Sequence, residues 1–597
     1  MPEGLPAIAT AILAVGALRM AARNAIVRRL AAIETLGECN VICTDKTGTI
    51  TRGEMRVRRV FIDLRDVDVD GGLRVDGGPQ GAGLAKLAWM CGAFSDAVAE
   101  EEGGRVVFRG PPTEAALREL AYRAGLRGGG EYPRVRTLHF DRVRKRKSTL
   151  HRLPGGGIFV ATFGAPELLL ERCGWVEVEG RVEPLTRELR ERILGAVEGY
   201  AASGYRTLGA AYRVGGEELV EADVEEVERD LVFLAVLAIS DPPREGVREA
   251  VELARRAGVR TVMVTGDHEL TAAAVAREVG IEAGRVVRGS ELDGLSDGEL
   301  EELVEEVSVF ARVAPHHKLR LVRALKRRGY VVAMTGDGVN DAPALKAADV
   351  GVAMGVRGTD VAKEVSDLIL ADDNYATIVE AIRQGRIIYE NIRKPIDYLL
   401  SCNLGEVFAV MAAELLDLPP PLTAAQLLWV NLVTDALPAL ALGLEPGEPD
   451  IMERPPRGRG ARLISARRVA AYAAIGAVTA GLTVSVLNLF MPRGVAVARS
   501  AAFLTFTLGE IVRAFAFRSE RRPFFRVKEA NRLLYASALI GAALSLAPLY
   551  APPLAAAFEV APLGPAELLT VMPFIAIPLA LIELGKQIFA AGAGRRR

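Results

Sequence analysis

The sequence predicts an α/β soluble part joined to an α-helical transmembrane bundle, and three observations carry that prediction. Residues 23–390 alternate short Val- and Ile-rich runs with charged helical stretches, the pattern of strands covered by helices. Beyond residue 395, apolar segments recur at bilayer-crossing length, near 396–416, 423–444, 468–490, 498–517, 532–552 and 566–590. The mean hydropathy of +0.21 lies between that of a soluble enzyme and that of an all-membrane protein, as a mixture of the two requires.

The connections between apolar segments set an orientation. The loop 453–468 carries Arg454, Arg457, Arg459, Arg462, Arg467 and Arg468, and the loop 518–532 is equally basic. The intervening loops, 417–422, 491–497 and 549–565, are poor in positive charge. The positive-inside rule therefore puts the soluble block in the cytoplasm of a multi-pass protein, expected in the plasma membrane. Residues 2–18 are also apolar, but short for a span, and their positive charges follow the apolar run, which a signal peptide would not have.

Composition excludes some classes. Lys plus Arg is 74 and Asp plus Glu is 75, so the net charge of −1 argues against nucleic acid held by bulk charge. Five scattered cysteines in 597 residues exclude a disulfide scaffold and show no paired metal-binding spacing, so they read as reduced thiols.

The strongest local signal is Cys43-Thr44-Asp45-Lys46-Thr47-Gly48-Thr49. Residues 36–43 read as a turn and a buried strand, which puts Asp45 just past a strand's carboxyl end, where open α/β sheets bind ligands. An aspartate there suits nucleophilic attack on phosphorus once a cation screens the repulsion. Thr47, Gly48 and Thr49 offer hydroxyls and N–H groups to phosphate oxygens. A strand at 259–264 leads into Thr265-Gly266-Asp267. A helix at 315–328 bears Lys318 near its start. A strand at 330–334 leads into Thr335-Gly336-Asp337-Gly338-Val339-Asn340-Asp341. Two further carboxylates at a strand end suit Mg²⁺.

The apolar segments contain polar groups, which are functional candidates because burial in lipid is costly. Asn403 and Glu406 are spaced i and i+3 on one helix face; Asn431, Thr434 and Asp435 share another; Glu510 lies in the segment 498–517. Pro2-Glu3-Gly4-Leu5-Pro6 breaks a helix and frees carbonyl oxygens. An all-oxygen donor set without thiol or imidazole suits Ca²⁺.

The motifs at 45–49, 265–267 and 335–355 resemble those of the P-type cation-transporting ATPases, over essentially the whole chain. The resemblance implies a HAD-like Rossmannoid phosphorylation domain with an inserted α+β nucleotide-binding domain. It implies that ATP phosphorylates Asp45, and that Asp45, Thr47 and Asp337 hold Mg²⁺. The catalytic set is then Asp45, Lys46, Thr47, Thr265, Gly266, Asp267, Lys318, Asn340 and Asp341. The expected domains are 1–22, the remnant of a broken transmembrane helix; 23–52 and 237–390, the two parts of the phosphorylation domain; 53–236, the nucleotide-binding domain; and 391–597, a six-helix transmembrane domain. Asp241-Pro-Pro-Arg244 resembles the family's return hinge. Thr113, Glu114, Phe140, Arg142, Lys145 and Arg206 match its ATP-contacting positions. Phe163 stands where the family commonly has lysine.

PEGLP, Asn403-Leu-Gly-Glu406 and the stretch Asn431 to Asp435 resemble the calcium-pump branch. Carried over, Glu3, Asn431 and Asp435 form one Ca²⁺ site, and Asn403, Glu406, Thr434, Asp435 and Glu510 a second. Arg513, one turn from Glu510, offers the alternative of a structural ion pair at that carboxylate. The family's actuator motif, Thr-Gly-Glu, is absent from the sequence, so the expectation is a truncated catalytic and membrane portion (a truncated gene model, an assembly fragment, or one piece of a split pump whose separate N-terminal segment carries the actuator domain) that is phosphorylated by ATP but does not transport by itself. The competing readings are a pump for another cation (Na⁺ or H⁺), a membrane-anchored phosphatase of the same fold, and a non-functional remnant.

Overall fold

The computed structural model describes residues 5–70, 79–102, 105–126, 132–458 and 463–594. Its organising element is an eight-stranded sheet. The spatial order is Ala25–Val27, Leu368–Leu370, Val350–Met354, Val332–Gly336, Val41–Thr44, Arg260–Val264, Val309–Ala311 and Val286–Arg288. All neighbours run parallel except the first pair. The strand Val41–Thr44 lies between Val332–Gly336 and Arg260–Val264, so three phosphate-motif loops leave three adjacent parallel strands at their carboxyl ends. All four residues of the central strand are buried, as a parallel sheet with two covered faces requires. One local expectation changes. Residues Ala31–Glu38 form a helix that ends just before the strand, where the sequence suggested a turn from residue 36.

A second, nine-stranded sheet is inserted between the strands Val41–Thr44 and Arg260–Val264. Its long centre pairs Arg206–Gly215 with Leu231–Ser240 and with Ile158–Gly164, and Arg146–Arg152 follows on the latter's far side, all antiparallel. The two crossings between the sheets are tied together. Asp241 accepts from the Thr51 hydroxyl at 2.6 Å and from the backbone N–H of Gly53 at 2.8 Å. Burial pushes the Asp241 carboxyl above its ordinary range, and these donors with Lys46 oppose that rise.

Among the described residues, six helices are long and apolar enough to cross a membrane: Tyr375–Leu415, Ala424–Gly443, Ala466–Arg493, Val495–Arg518, Arg532–Tyr550 and Pro565–Ile588. The helix Leu5–Ala21 is a shorter apolar one of 17 residues. The first of the six has 41 residues and spans about 60 Å at 1.5 Å per residue. Only its second half is membrane-like in sequence. Its first half runs under the parallel sheet, where the Tyr375 hydroxyl meets that of Thr261 at 2.6 Å. Gly385 crosses Gly37 so closely that a Cβ on either would lie 2.8 Å from the other's backbone. Arg386 donates to the carbonyls of Ala257, Ile451 and Arg454, joining sheet domain, long helix and membrane loop. The second of the six is not a regular helix: Val430–Thr434 makes a π turn. That turn contains Asn431 and ends just before Asp435; such turns are frequent at functional sites.

Candidate phosphate pocket and ion cluster

Asp45 follows the central strand with extended dihedrals, and the chain then turns sharply. Thr47 (φ −73°, ψ 122°) and Gly48 (φ 80°, ψ −7°) have the dihedrals of a type II turn, which demands positive φ at its third position. A Cβ there would also meet the Arg357 guanidinium, which would have to move aside. Arg244 of the return hinge holds this turn from below. It donates to the carbonyls of Gly48 at 3.0 Å, Thr51 at 3.2 Å and Asp372 at 3.1 Å.

Lys318 is the centre of charge. Its ammonium donates to Asp45 Oδ2 at 2.7 Å and to Asp341 Oδ1 at 2.8 Å. Burial opposes the charge on Lys318, but the two carboxylates overcome it and hold its pKa above the usual value. Asp341 Oδ2 also accepts from the N–H groups of Asp337 and Gly338. Thr335 accepts from the Asp45 N–H at 3.1 Å and donates to Thr44. Lys46 is buried and ion-pairs with Asp267, whose N–H donates to Thr265 Oγ1 at 3.2 Å.

Asp337 is the exception. Among the described residues no hydrogen bond or ion pair falls on its carboxylate. Burial and then the nearby charges of Asp45 and Asp341 push it above the ordinary aspartate range. The pocket thus holds one carboxylate more than its lysine can satisfy, which is a fit for a divalent cation. Asn340 is exposed at the rim.

On the inserted domain the nucleotide candidates form two groups. Arg206 donates to the Thr113 hydroxyl at 3.3 Å, and Glu114 accepts from Lys147 at 2.8 Å and from the Asp96 N–H at 2.7 Å. Phe140, 61% exposed, and Arg142 and Lys145, also exposed, occupy the turn between the strands Arg134–Leu138 and Arg146–Arg152. Phe163 is buried against Phe94, with ring centroids 4.5 Å apart.

In the membrane part, Asn431 donates to both oxygens of Glu406, at 2.8 and 3.0 Å, and accepts from Asn403 at 3.2 Å. Thr434 is turned to its own helix, donating to the Val430 carbonyl at 3.0 Å. Asp435 Oδ1 accepts from Tyr398 at 3.1 Å. Ligand atoms of Cys402, Asp435 and Glu510 lie within 4.8 Å of one another, all three residues buried. Arg513 sits with them, fully buried, 3.4 Å from Glu510, and donates to Thr479 at 2.6 Å and to Cys402 at 3.1 Å. Asp435 Oδ2 and Glu510 Oε2 are buried without a hydrogen-bond partner. Orphaned acceptors in an apolar bundle are costly unless a cation or proton meets them. Glu3 lies outside the described residues.

Four contributors were not singled out from sequence. Asp241 and Arg244 read only as a stiff connector, although an acid and a base flanking two prolines was a signal. Thr335 stood inside a motif without a role. Lys147 carried no mark at all.

Two family models match the chain: one described as P-type ATPase, cytoplasmic domain N, over residues 83–246, and one as cation transporting ATPase, C-terminus, over residues 419–588. A calcium-transporting ATPase of Bacillus subtilis is 39% identical over 604 residues, covering 98% of this chain and 67% of the relative. Calcium-transporting ATPase 1 of Lactococcus lactis is 42% identical, over 76% of this chain and 51% of the relative. Calcium-transporting ATPase 4, endoplasmic reticulum-type, of Arabidopsis thaliana is 39% identical, over 82% and 52%. Loops at the ends of three adjacent parallel strands, a mainly antiparallel sheet inserted between two of them, a membrane bundle with buried carboxylates and these matches agree, and the chain belongs to the calcium-pump-like P-type ATPases, a family of cation-translocating ATP hydrolases.

Proposed function

We propose that this chain is the catalytic and membrane portion of an ATP-driven Ca²⁺ pump of the cell membrane, working through a phosphoaspartate at Asp45. The observation that carries the proposal is Lys318, bound to Asp45 and Asp341 at the ends of adjacent strands, with Asp337 left unpartnered beside them.

The chemistry follows from that arrangement. Lys318 holds Asp45 Oδ2, which leaves the other carboxylate oxygen to attack the γ-phosphorus. The new Asp45 O–P bond forms as the bond from the γ-phosphorus to the bridging oxygen of ADP breaks, and ADP leaves with that electron pair. Lys318 and the N–H groups of the turn around Gly48 then meet the charge on the phosphoryl oxygens. Thr265, Gly266 and Asn340 would surround the same group, while Lys46 and Asp267 brace the loops. Asp45, Asp337 and the Thr47 carbonyl would hold Mg²⁺, which when bound screens the carboxylate–phosphate repulsion. ATP would reach Asp45 from the inserted domain, with Phe140 stacked on the base and Arg142, Lys145 and Arg206 toward the phosphates.

For the cargo, Glu406, Asn431 and Asp435 with Glu3 would bind one Ca²⁺, with Asn403 and Thr434 beside them. Arg513 against Glu510 supports one transported ion rather than two, because a guanidinium already holds the second position's charge. The test is phosphoenzyme formation in membranes across a cation panel. Dependence on Ca²⁺ that is lost in Glu406→Gln and Asp435→Asn is expected. Dependence on Na⁺ or on pH alone would overturn the cargo assignment and leave the phosphate chemistry standing.

A further inference from the structure

Lys147 lies on the strand Arg146–Arg152, just beyond the exposed Phe140 turn, and its side chain is only 7% exposed. Its ammonium donates to Asp96 Oδ2 at 2.6 Å and to Glu114 Oε1 at 2.8 Å, and sits 4.8 Å from the centre of the Phe94 ring. An ammonium has three N–H donors, and two are accounted for by these carboxylates. Glu114 accepts one bond at each oxygen, and each oxygen keeps a lone pair for another donor. Thr113, which accepts from Arg206, precedes Glu114 in the chain, and Phe94, packed on Phe163, lies against Lys147.

Register adds the second observation. Lys147 is directly opposite Phe163 across the antiparallel pair of strands, so the two side chains share a face, and both reach Phe94. A cation on either strand of this pair would therefore reach the same place.

We propose that Lys147 and Glu114 form a donor–acceptor pair that reads the edge of the adenine base, with Lys147 supplying the cation that residue 163 lacks. Glu114 accepts from the exocyclic amino group, and the third N–H of Lys147 donates to the neighbouring ring nitrogen. Inosine presents the opposite polarity at both positions, a carbonyl oxygen facing Glu114 and an N–H facing Lys147. The pair therefore sets a preference for ATP over ITP. The inference rests on the reading of residues 53–236 as the nucleotide-binding region.

The test is equilibrium binding of ATP and of ITP to the full chain in membranes, for the parent, Lys147→Met, the exchange variant Lys147→Phe/Phe163→Lys, and Phe140→Ala. Lys147→Met is expected to weaken ATP binding by about 10- to 100-fold, the range of one hydrogen bond to a charged group, and ITP binding by less than about threefold. The exchange variant is expected to regain the preference for ATP. Unchanged ATP binding in Lys147→Met, equal loss of ATP and ITP, or an exchange variant as weak as the single variant would each overturn the proposal. Should Lys147→Met fail to fold, the exchange variant decides alone: a parental ATP preference supports the pair, and equal affinity for the two nucleotides refutes it. Phe140→Ala separates the two levels. Weakened binding there with Lys147→Met unaffected removes only this inference, whereas parental binding in both removes the nucleotide-site reading beneath it.

Discussion

In the phosphate pocket Lys318 reaches Asp45 at 2.7 Å and Asp341 at 2.8 Å, whereas in the membrane cluster Arg513 reaches Glu510 only at 3.4 Å and makes its shorter hydrogen bonds to Thr479 and Cys402. Both clusters gather more carboxylates than their resident cation can satisfy. The surplus carboxylate in the pocket, Asp337, is half-buried and open to the solution side, so an ion from solvent can meet it. The surplus acceptors in the membrane, Asp435 Oδ2 and Glu510 Oε2, are sealed among helices. The difference lies in what each cation is for. A lysine ammonium is a compact charge that two carboxylates can share while one of them reacts. A guanidinium held by several fixed acceptors is part of the wall.

The largest effect that would break this comparison is at Lys318. Lys318→Met removes the shared charge and leaves Asp45 and Asp341 facing each other. The rate of phosphoenzyme formation is expected to fall by about 10²- to 10³-fold, the scale of losing one preorganised charge donor. A fall of less than tenfold, measured by rapid-quench labelling, would show that Lys318 only braces the loop.

Arg513 should behave differently, and a pair of variants sharpens the contrast. Arg513→Met leaves Glu510 buried and unpaired and is expected to cost about 3–5 kcal/mol, whereas Arg513→Met with Glu510→Gln should recover most of that loss. Unfolding of the purified chain in detergent measures both. Equal destabilisation of the single and double variants would mean that Arg513 matters through Thr479 and Cys402, and not through Glu510.

The smallest effect concerns the turn that presents Asp45. Arg244→Ala should cost about 2 kcal/mol of stability, roughly one charged hydrogen bond after relaxation, and slow phosphorylation while leaving nucleotide affinity at the parental value. A change in nucleotide affinity of more than about threefold would place Arg244 in the binding of ATP rather than in support of the Gly48 turn.

These contrasts also show what a chain of residues discloses. The convergence of the candidate phosphate-site loops was legible because they are contiguous motifs at strand ends: Asp45, Thr265 and Asp337 each stand within a few residues of a strand, and parallel-sheet topology brings them together. The membrane segments were legible from length and hydropathy, and the soluble half of Tyr375–Leu415 was not, because a helix continues across the boundary without a marker. The π turn at Val430–Thr434 leaves no trace in composition, since it needs only one extra residue per turn. What escaped altogether were contacts between distant elements. Arg244 meets Gly48 across 196 residues, and Lys147 meets Asp96 across 51. A basic residue on a strand looks the same whether it faces solvent or two carboxylates, so Lys147 could be found only once strand register had put it opposite Phe163.

The central claim is that Asp45 takes the phosphoryl group from ATP. It is tested most directly by acid-stable labelling from γ-labelled ATP in membranes holding this chain, with Mg²⁺ and with or without Ca²⁺, for the parent and for Asp45→Asn. The account predicts label in the parent that requires Ca²⁺, and none in Asp45→Asn. Label persisting at the parental level in Asp45→Asn would contradict it.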